Sequence, residues 1–377
     1  MKEQQPLKEV SLLFLKLGII AFGGPAAHIA MMQDEVVRKR KWMTEQHFLD
    51  LLGATNLIPG PNSTEMAIHL GKERAGWKGL IAAGVFFILP AALITGGFAW
   101  LYKSYGMLPQ VQPFIYGIKP AIVAIILAAI FPLAKKSLKT NTLYVIGIAA
   151  LILSLAGWNE IYIMFGAGIV AIILQAIKKN KFTSAGSVFA PFTLLQIPAT
   201  AITTVTNLQL FLSFLKVGSI LYGSGYVLFA FLDSELVAKG IISRQLLVDA
   251  IAVGQFTPGP VSSAVTFIGY QLNGFSGALV STVGIFLPCF VFVALLNPLV
   301  KLMRNSKIFA AFLDAVNVAS VAVIAAVCFA IGKESIADWR TIVIAVLSMI
   351  LVFGFKRINS VFIVLGGSLF GYVLSLL

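Results

Sequence analysis

Two short stretches constrain this chain more than any other feature: LIPGPNSTEMAIHLG at 57–71 and its echo QFTPGPVSSAVTFIG at 255–269. A Pro-Gly-Pro does not continue a helix, because each proline lacks an N–H and the glycine between carries the largest backbone entropy cost. Both nevertheless sit in a chain that otherwise reads as membrane-spanning. Of its 377 residues, 59% are hydrophobic and 11% charged, and the mean hydropathy is +0.93. A soluble domain of this size carries about twice that charged share. Apolar stretches near the roughly 20 residues a bilayer requires recur along the whole chain. They are continuous and do not alternate with period two, which excludes an outer-membrane barrel. The fold class is an all-α polytopic membrane protein.

The echo extends well beyond the two breaks. FLKLGIIAFGGPAAHIAMMQDEV (14–36) aligns with FLKVGSILYGSGYVLFAFLDSEL (214–236), so that Lys16 matches Lys216, Gly18 matches Gly218, Gly23 matches Gly223 and Glu35 matches Glu235. Asp50 then falls on Asp249, Asn56 on Gln255, and Pro59-Gly60-Pro61 on Pro258-Gly259-Pro260. Further on, Gly71, Gly76, Gly79 and Pro90 match Gly269, Gly274, Gly277 and Pro288. The chain therefore reads as two homologous repeats, 1–180 and 205–377, with a linker over 181–204.

Each repeat holds six apolar segments, the second of which carries Pro-Gly-Pro. Charge decides whether that segment crosses. In the first repeat loop one carries Arg38, Lys39, Arg40 and Lys41, loop two Lys72, Arg74 and Lys78, loop four Lys135, Lys136 and Lys139, and the stretch into the linker Lys178, Lys179 and Lys181, whereas loop three has only Lys103 and loop five no base. A crossing second segment scatters these over both faces. A re-entrant one, turning at Pro-Gly-Pro, gathers them on the cytoplasmic face as the positive-inside tendency requires. In the second repeat the same arrangement places Lys301, Arg304, Lys307, Lys356 and Arg357 inside. Each repeat then has about five spanning helices plus one re-entrant helical hairpin. That odd number of crossings inverts one repeat against the other, with the N-terminus outside. Inverted repeats with broken elements meeting near the midplane are a transporter architecture.

A new half-helix starts after each break, with polar residues in its first turn: Asn62, Ser63 and Thr64 in one, Ser262 and Ser263 in the other. A helix N-terminus offers N–H donors and the positive end of a dipole, so two such ends would aim donors at one central anion. Capping of a tight turn accounts for the same residues, and the two readings are compatible. The first segment of each repeat is broken as well, at Gly23-Gly24 and Gly223-Ser224-Gly225. Lys16 and Lys216 precede these breaks inside apolar sequence; they either attract substrate or snorkel to an interface. Lys119 is an unduplicated intramembrane lysine. The coupling candidates are Asp50, Asp249, Glu65 and His28. Asp50 and Asp249 also suit a structural role holding loop amides, and His28 suits a hydrogen-bonded structural role. Glu65 has no acidic counterpart in the second repeat. Glu35 and Glu235 are expected at the membrane surface among basic residues, in solvent.

Other classes find little support. The basic excess of +13 lies in short clusters between apolar segments rather than on one face, so no nucleic-acid partner is expected. Histidine is confined to His28, His47 and His69, without HExxH spacing; no GxSxG elbow or metal-carboxylate cluster is present, so neither an enzyme nor a metal or other cofactor is expected. Cys289 and Cys328 sit in apolar runs as packing residues. No small-residue cleavage site follows the first segment, which is expected to remain as a span.

The stretches FGGPAAHIAMMQDEVV, KWMTEQHFLDLLGATNLIPGP and AIHLGKERAGWKGLIAAGVFFILP resemble the chromate ion transporter family, and SELVAKGIISRQLLVDAIAVGQFTPGP resembles the C-terminal domain of its long, two-domain form. The resemblance covers most of the chain. It implies an inner-membrane protein that exports chromate or a related tetrahedral oxyanion such as sulfate by alternating access, with membrane lipid around it; a homodimer is left open. Sulfate uptake or an uncoupled anion channel would use the same donors. The chain departs from the family pattern at Ser224, at Ile241-Ile242 (opposite Trp42 of the first repeat) and at Glu65, where a neutral amide is commoner.

Overall fold

The computed structural model describes residues 4–106, 108, 110–178, 205–222, 225–304, 306–355 and 358–376. The expected linker, 181–204, lies outside them. The described residues are helical and contain no strand. In the first repeat α1 spans Gln4–Ile20, α2 Gly24–Gln33, α3 Glu45–Thr55, α4 Asn62–Tyr105, α5 Gln112–Ser137, α6 Asn141–Leu155 and α7 Glu160–Lys178. In the second, α8 spans Asn207–Ile220, α9 Val227–Leu232, α10 Arg244–Phe256, α11 Ala264–Arg304, α12 Lys307–Ser335, α13 Trp339–Gly354 and α14 Ser360–Ser375. A π-helical turn follows α2 at Asp34–Lys39 and, at the same place in the second repeat, follows α9 at Asp233–Val237.

Local chemistry sets the helix starts. Thr44 accepts from the His47 N–H ahead of α3, and Ser243 from the Leu246 N–H ahead of α10, so both hairpins open on the same cap. Thr206 with Gln209 and Asp338 with Thr341 form capping boxes at α8 and α13. Among the described residues, five helical stretches are long and apolar enough to cross a bilayer: Asn62–Tyr105, Gln112–Ser137, Glu160–Ile177, Val261–Leu295 and Lys307–Ser335. Their outward residues, among them Trp77, Leu93, Phe131, Phe275 and Phe329, are large, apolar and exposed. Such a continuous apolar exterior suits lipid and not water. This is a multi-pass membrane protein.

The basic loop two expected around Lys72, Arg74 and Lys78 is a tight turn between two helices. The return limb of the hairpin runs into the next helix through a kink at Ala75 and Gly76, and the second repeat repeats this at Asn273 and Gly274. The kink glycines hold φ of 62° and 63°, a left-handed conformation that a side chain would strain. Gly71 against Gly79, and Gly269 against Gly277, let the chain fold tightly across each kink, since a Cβ on the first glycine would lie 2.3 Å from the carbonyl oxygen of the second.

The repeats interlock reciprocally. Within each, the first helix packs on the long kinked one, α1 on α4 and α8 on α11; between them, α5 packs against α13 and α14 while α12 packs against α6 and α7. The α4–α11 pair fixes their relative direction. Lys72, just before the first kink, reaches the carbonyl oxygens of Val293 and Ala294, far along α11, at 3.4 and 3.5 Å. At the other end Gln271, just before the second kink, donates to the Ala99 carbonyl, far along α4, at 2.8 Å. The two kinks thus lie at opposite ends of the pair, and the two return limbs enter from opposite ends. That is the geometry of an inverted repeat.

Candidate functional site

Four non-helical segments meet one another. Two are the interruptions of the first segments, between α1 and α2 and between α8 and α9; two are the Pro-Gly-Pro tips, between α3 and α4 and between α10 and α11. The Gly60 N–H donates to the Leu221 carbonyl at 2.7 Å, and the Gly259 N–H to the Ala21 carbonyl at 2.8 Å. Each tip is therefore seated on the broken helix of the other repeat. The match satisfies two groups at once, an amide in a turn and a carbonyl left without a helical partner at a helix end. The two breaks also adjoin, since a Cβ on Gly24 would meet the Tyr226 hydroxyl at 3.6 Å and one on Gly225 would meet the Pro25 ring at 3.7 Å.

The tips themselves are buried throughout, Pro59-Gly60-Pro61 and Pro258-Gly259-Pro260 alike. Gly60 holds φ 142° and Gly259 φ 87°; a Cβ would lie 2.3 Å from Glu65 Oε1 at the first and 3.0 Å from Ala91 Cβ at the second. The carbonyl of Pro61 accepts from the N–H groups of Thr64 and Glu65, and that of Pro260 from the N–H of Ser263. Their hydroxyls divide into two kinds. Thr64 Oγ1 and Ser262 Oγ are buried with no partner, whereas Ser263 Oγ accepts from Thr95 Oγ1 at 3.2 Å. Ser63 is buried as well. Asn62 turns away and donates to Asn56 Oδ1 at an exposed position. Gly23 and Gly24 form the first break with positive φ; Gly225 borders the second, and Gly223 and Ser224 lie outside the described residues.

The lysines go elsewhere. Lys16 Nζ lies 2.9 Å from Glu35 Oε1, and Lys216 Nζ 2.5 Å from Glu235 Oε1. Lys39 and Lys239 join the same carboxylates, and Arg40 adds to the first. The expectation that these glutamates stand in solvent is corrected: Glu35 is 6% exposed and Glu235 3%. Each is shielded by the π-helical turn that carries it and by the lysine of the broken helix. The Lys16 ammonium, with Lys39, holds the Glu35 carboxyl below the usual carboxylate range. Burial pushes Glu235 the other way, but Lys216 and Lys239 outweigh it.

Asp50 and Asp249 diverge despite matching positions. Asp50 accepts from Gln46 near the surface. Asp249 is buried, accepts from the Tyr102 hydroxyl at 2.7 Å and interacts electrostatically with Lys119 of α5. It thus ties the second hairpin to two helices of the first repeat through side chains, where loop amides were expected. His28 is buried and donates from Nε2 to the Ala21 carbonyl at 3.0 Å, the same oxygen that receives the Gly259 amide. Glu65 is fully buried, and neither of its oxygens has a partner.

Sequence reasoning missed Thr95, Tyr102, Tyr222 and Tyr226. Thr95 lies mid-helix, within reach of both Thr257 and Ser263; a threonine there leaves no periodic signal. Tyr226, at the second break, hydrogen-bonds Gln255 at the end of α10. Gln255 matches Asn56, so the paired amides at the tips were a readable signal.

A sequence model described as Chromate transporter matches this chain twice, at residues 8–172 and 208–372. The chain is 30% identical over 356 residues to a probable chromate transport protein of Synechococcus elongatus, covering 91% of this chain and 89% of that protein. It is 30% identical over 374 residues to a chromate transport protein of Cupriavidus metallidurans, covering 97% and 93%, and 29% identical over 325 residues to one of Pseudomonas aeruginosa, covering 83% and 78%. No solved structure matches. With both repeats matched, and relatives 30% identical over 91% and 97% of its length, this chain belongs to the chromate transporter family.

Proposed function

We propose that this protein is a secondary transporter of a divalent tetrahedral oxyanion, chromate foremost, moved out of the cell by alternating access, with the anion held where the two tips and the two broken helices meet. The observation that carries this reading is the reciprocal seating of each tip on the other repeat's break, with Thr64 Oγ1 and Ser262 Oγ buried and unpartnered beside them. A buried hydroxyl without a partner loses about 1–3 kcal/mol, which a ligand acceptor restores. Two half-helix N-termini entering from opposite ends add the positive ends of their dipoles. The tip amides of Gly60 and Gly259 are already committed, so the anion relies on hydroxyls and first-turn groups. Because the repeats are inverted copies, exchanging their conformations exposes the same site to the other face.

A panel of radiolabelled oxyanions tested for uptake into inside-out vesicles decides the matter. Chromate taken up and competed by sulfate supports the reading, and no uptake of any oxyanion removes it. Uptake of sulfate or another divalent oxyanion into the cell is a second reading, favoured by one observation: the Glu65 carboxyl sits against the first tip, where a co-transported proton would serve import. Right-side-out vesicles then accumulate the label instead.

A further inference from the structure

The two half-helices that follow the tips are copies in shape and differ in chemistry. Aligning their kinks, Ala75-Gly76 on Asn273-Gly274, places Glu65 opposite Ser263, His69 opposite Phe267 and Glu73 opposite Gln271. His47 of α3 stands opposite Leu246 of α10. All four titratable groups belong to the first repeat, and none of their counterparts titrates near neutral pH.

These groups form a ladder. Glu65, His69 and Glu73 are spaced by four residues, so they share one helix face at steps of about 6 Å. Side chains on a helix lean toward its N-terminus, so His69 lies over the turn that carries Glu65, and Glu73 over the turn that carries His69. Burial falls along the ladder. Glu65 is 0% exposed with both oxygens unpartnered, and His69 is 1% exposed with Nε2 unpartnered. Glu73 Oε2 lies 3.2 Å from His47 Nε2 at the surface, in a pocket lined also by Trp42, Met43 and Arg74. The groups facing Glu65 are Tyr222 from the second-repeat break and Cys289 from α11; Lys72 faces His69. No cationic side chain is paired with the Glu65 carboxyl among the described residues.

We propose that Glu65 is a proton-binding site, loaded from solvent through His47–Glu73 and His69, that links proton movement to the oxyanion. The proposal rests on the oxyanion reading above, whichever direction the transport takes. A buried carboxyl with no partner is held as the neutral acid, because an unpaired charge there costs several kcal/mol. Loading moves one proton and no electrons. The surface pair delivers a proton to one His69 nitrogen, the ring releases a proton from its other nitrogen, and a Glu65 oxygen accepts it. A dianion at the tips repels an ionised Glu65 and tolerates a protonated one. Proton and oxyanion therefore bind together and travel in the same direction.

The test uses the full-length protein in proteoliposomes with the membrane potential clamped to zero, and [35S]sulfate and [51Cr]chromate as probes. For one proton per anion, an imposed difference of one pH unit accumulates label roughly tenfold on the alkaline side. Glu65→Gln abolishes that accumulation. His69→Phe, which installs the counterpart residue, slows the approach about tenfold and leaves the final ratio unchanged, because a relay sets rate and not equilibrium. Exchange of labelled for unlabelled anion in the same vesicles reports the anion site alone. Wild-type exchange with no accumulation under the pH difference overturns the proton proposal and leaves the transport reading standing. Absence of exchange removes the transport reading instead. The infrared carbonyl band of a protonated carboxylic acid, present in purified wild type and absent in Glu65→Gln of normal elution volume, then decides Glu65 by itself; an identical spectrum in both overturns the site.

Discussion

Thr64 and Ser262 are the side chains on which anion affinity should depend most directly. A hydrogen bond to a charged acceptor contributes about 1.5–3 kcal/mol, so Thr64→Val combined with Ser262→Ala should raise the half-saturating anion concentration at least tenfold. Concentration-dependent vesicle flux checks this, with membrane abundance read alongside; an unchanged curve excludes both hydroxyls. Gly259 is a residue where geometry leaves little freedom. Its φ of 87° and the 3.0 Å that would separate a Cβ from Ala91 make Gly259→Ala costly, by about 1–3 kcal/mol. The expected outcome is a lowered melting temperature in detergent together with lost transport. At this scale the sequence was informative about type and silent about commitment. It marked Lys16 and Lys216 as intramembrane cations, but only the fold shows both amino groups bound to Glu35 and Glu235. A carboxylate nineteen positions away leaves no local pattern that ties it to a particular lysine.

Among the elements, the broken first helices and their π-helical turns act as units. Glu235 is enclosed by Lys216 and Lys239, with the Lys216 side chain only 25% exposed. Removing the charge leaves two ammonium groups short of a partner, one of them largely shielded, and breaking a buried pair costs about 3 kcal/mol. Glu235→Gln is therefore expected to lower the melting temperature of the purified protein. Glu35→Gln should do so less, because Lys16 is 50% exposed and water takes over its solvation. Equal shifts in the two variants would contradict this ranking. The sequence located the breaks well, since glycine and proline act on their own backbone. It did not tell how short the connection at Lys72–Lys78 is, where a single left-handed glycine turns one helix into the next.

At the level of the whole molecule, the inverted arrangement makes a prediction about sidedness. Single cysteines at Lys78 and Ser276, exposed positions beside the two kinks, should react with a membrane-impermeant maleimide from opposite faces. Labelling of both from one face would overturn the inversion. The native Cys289 and Cys328 are buried and do not interfere. What the sequence determined by itself is whatever depends on composition, spacing and repetition. That includes an all-helical membrane protein, two copies of one unit, and breaks at fixed places. These follow because hydrophobic length, loop charge and proline or glycine chemistry act locally along the chain. Only the tertiary structure decided which break receives which tip. Gly60 seats on Leu221 and Gly259 on Ala21, exchanged between repeats, and Glu65 is buried beside the first tip without a partner. Those facts arise from segments over 150 residues apart in sequence, where the packing of two inverted copies, and not any local preference, chooses the neighbour.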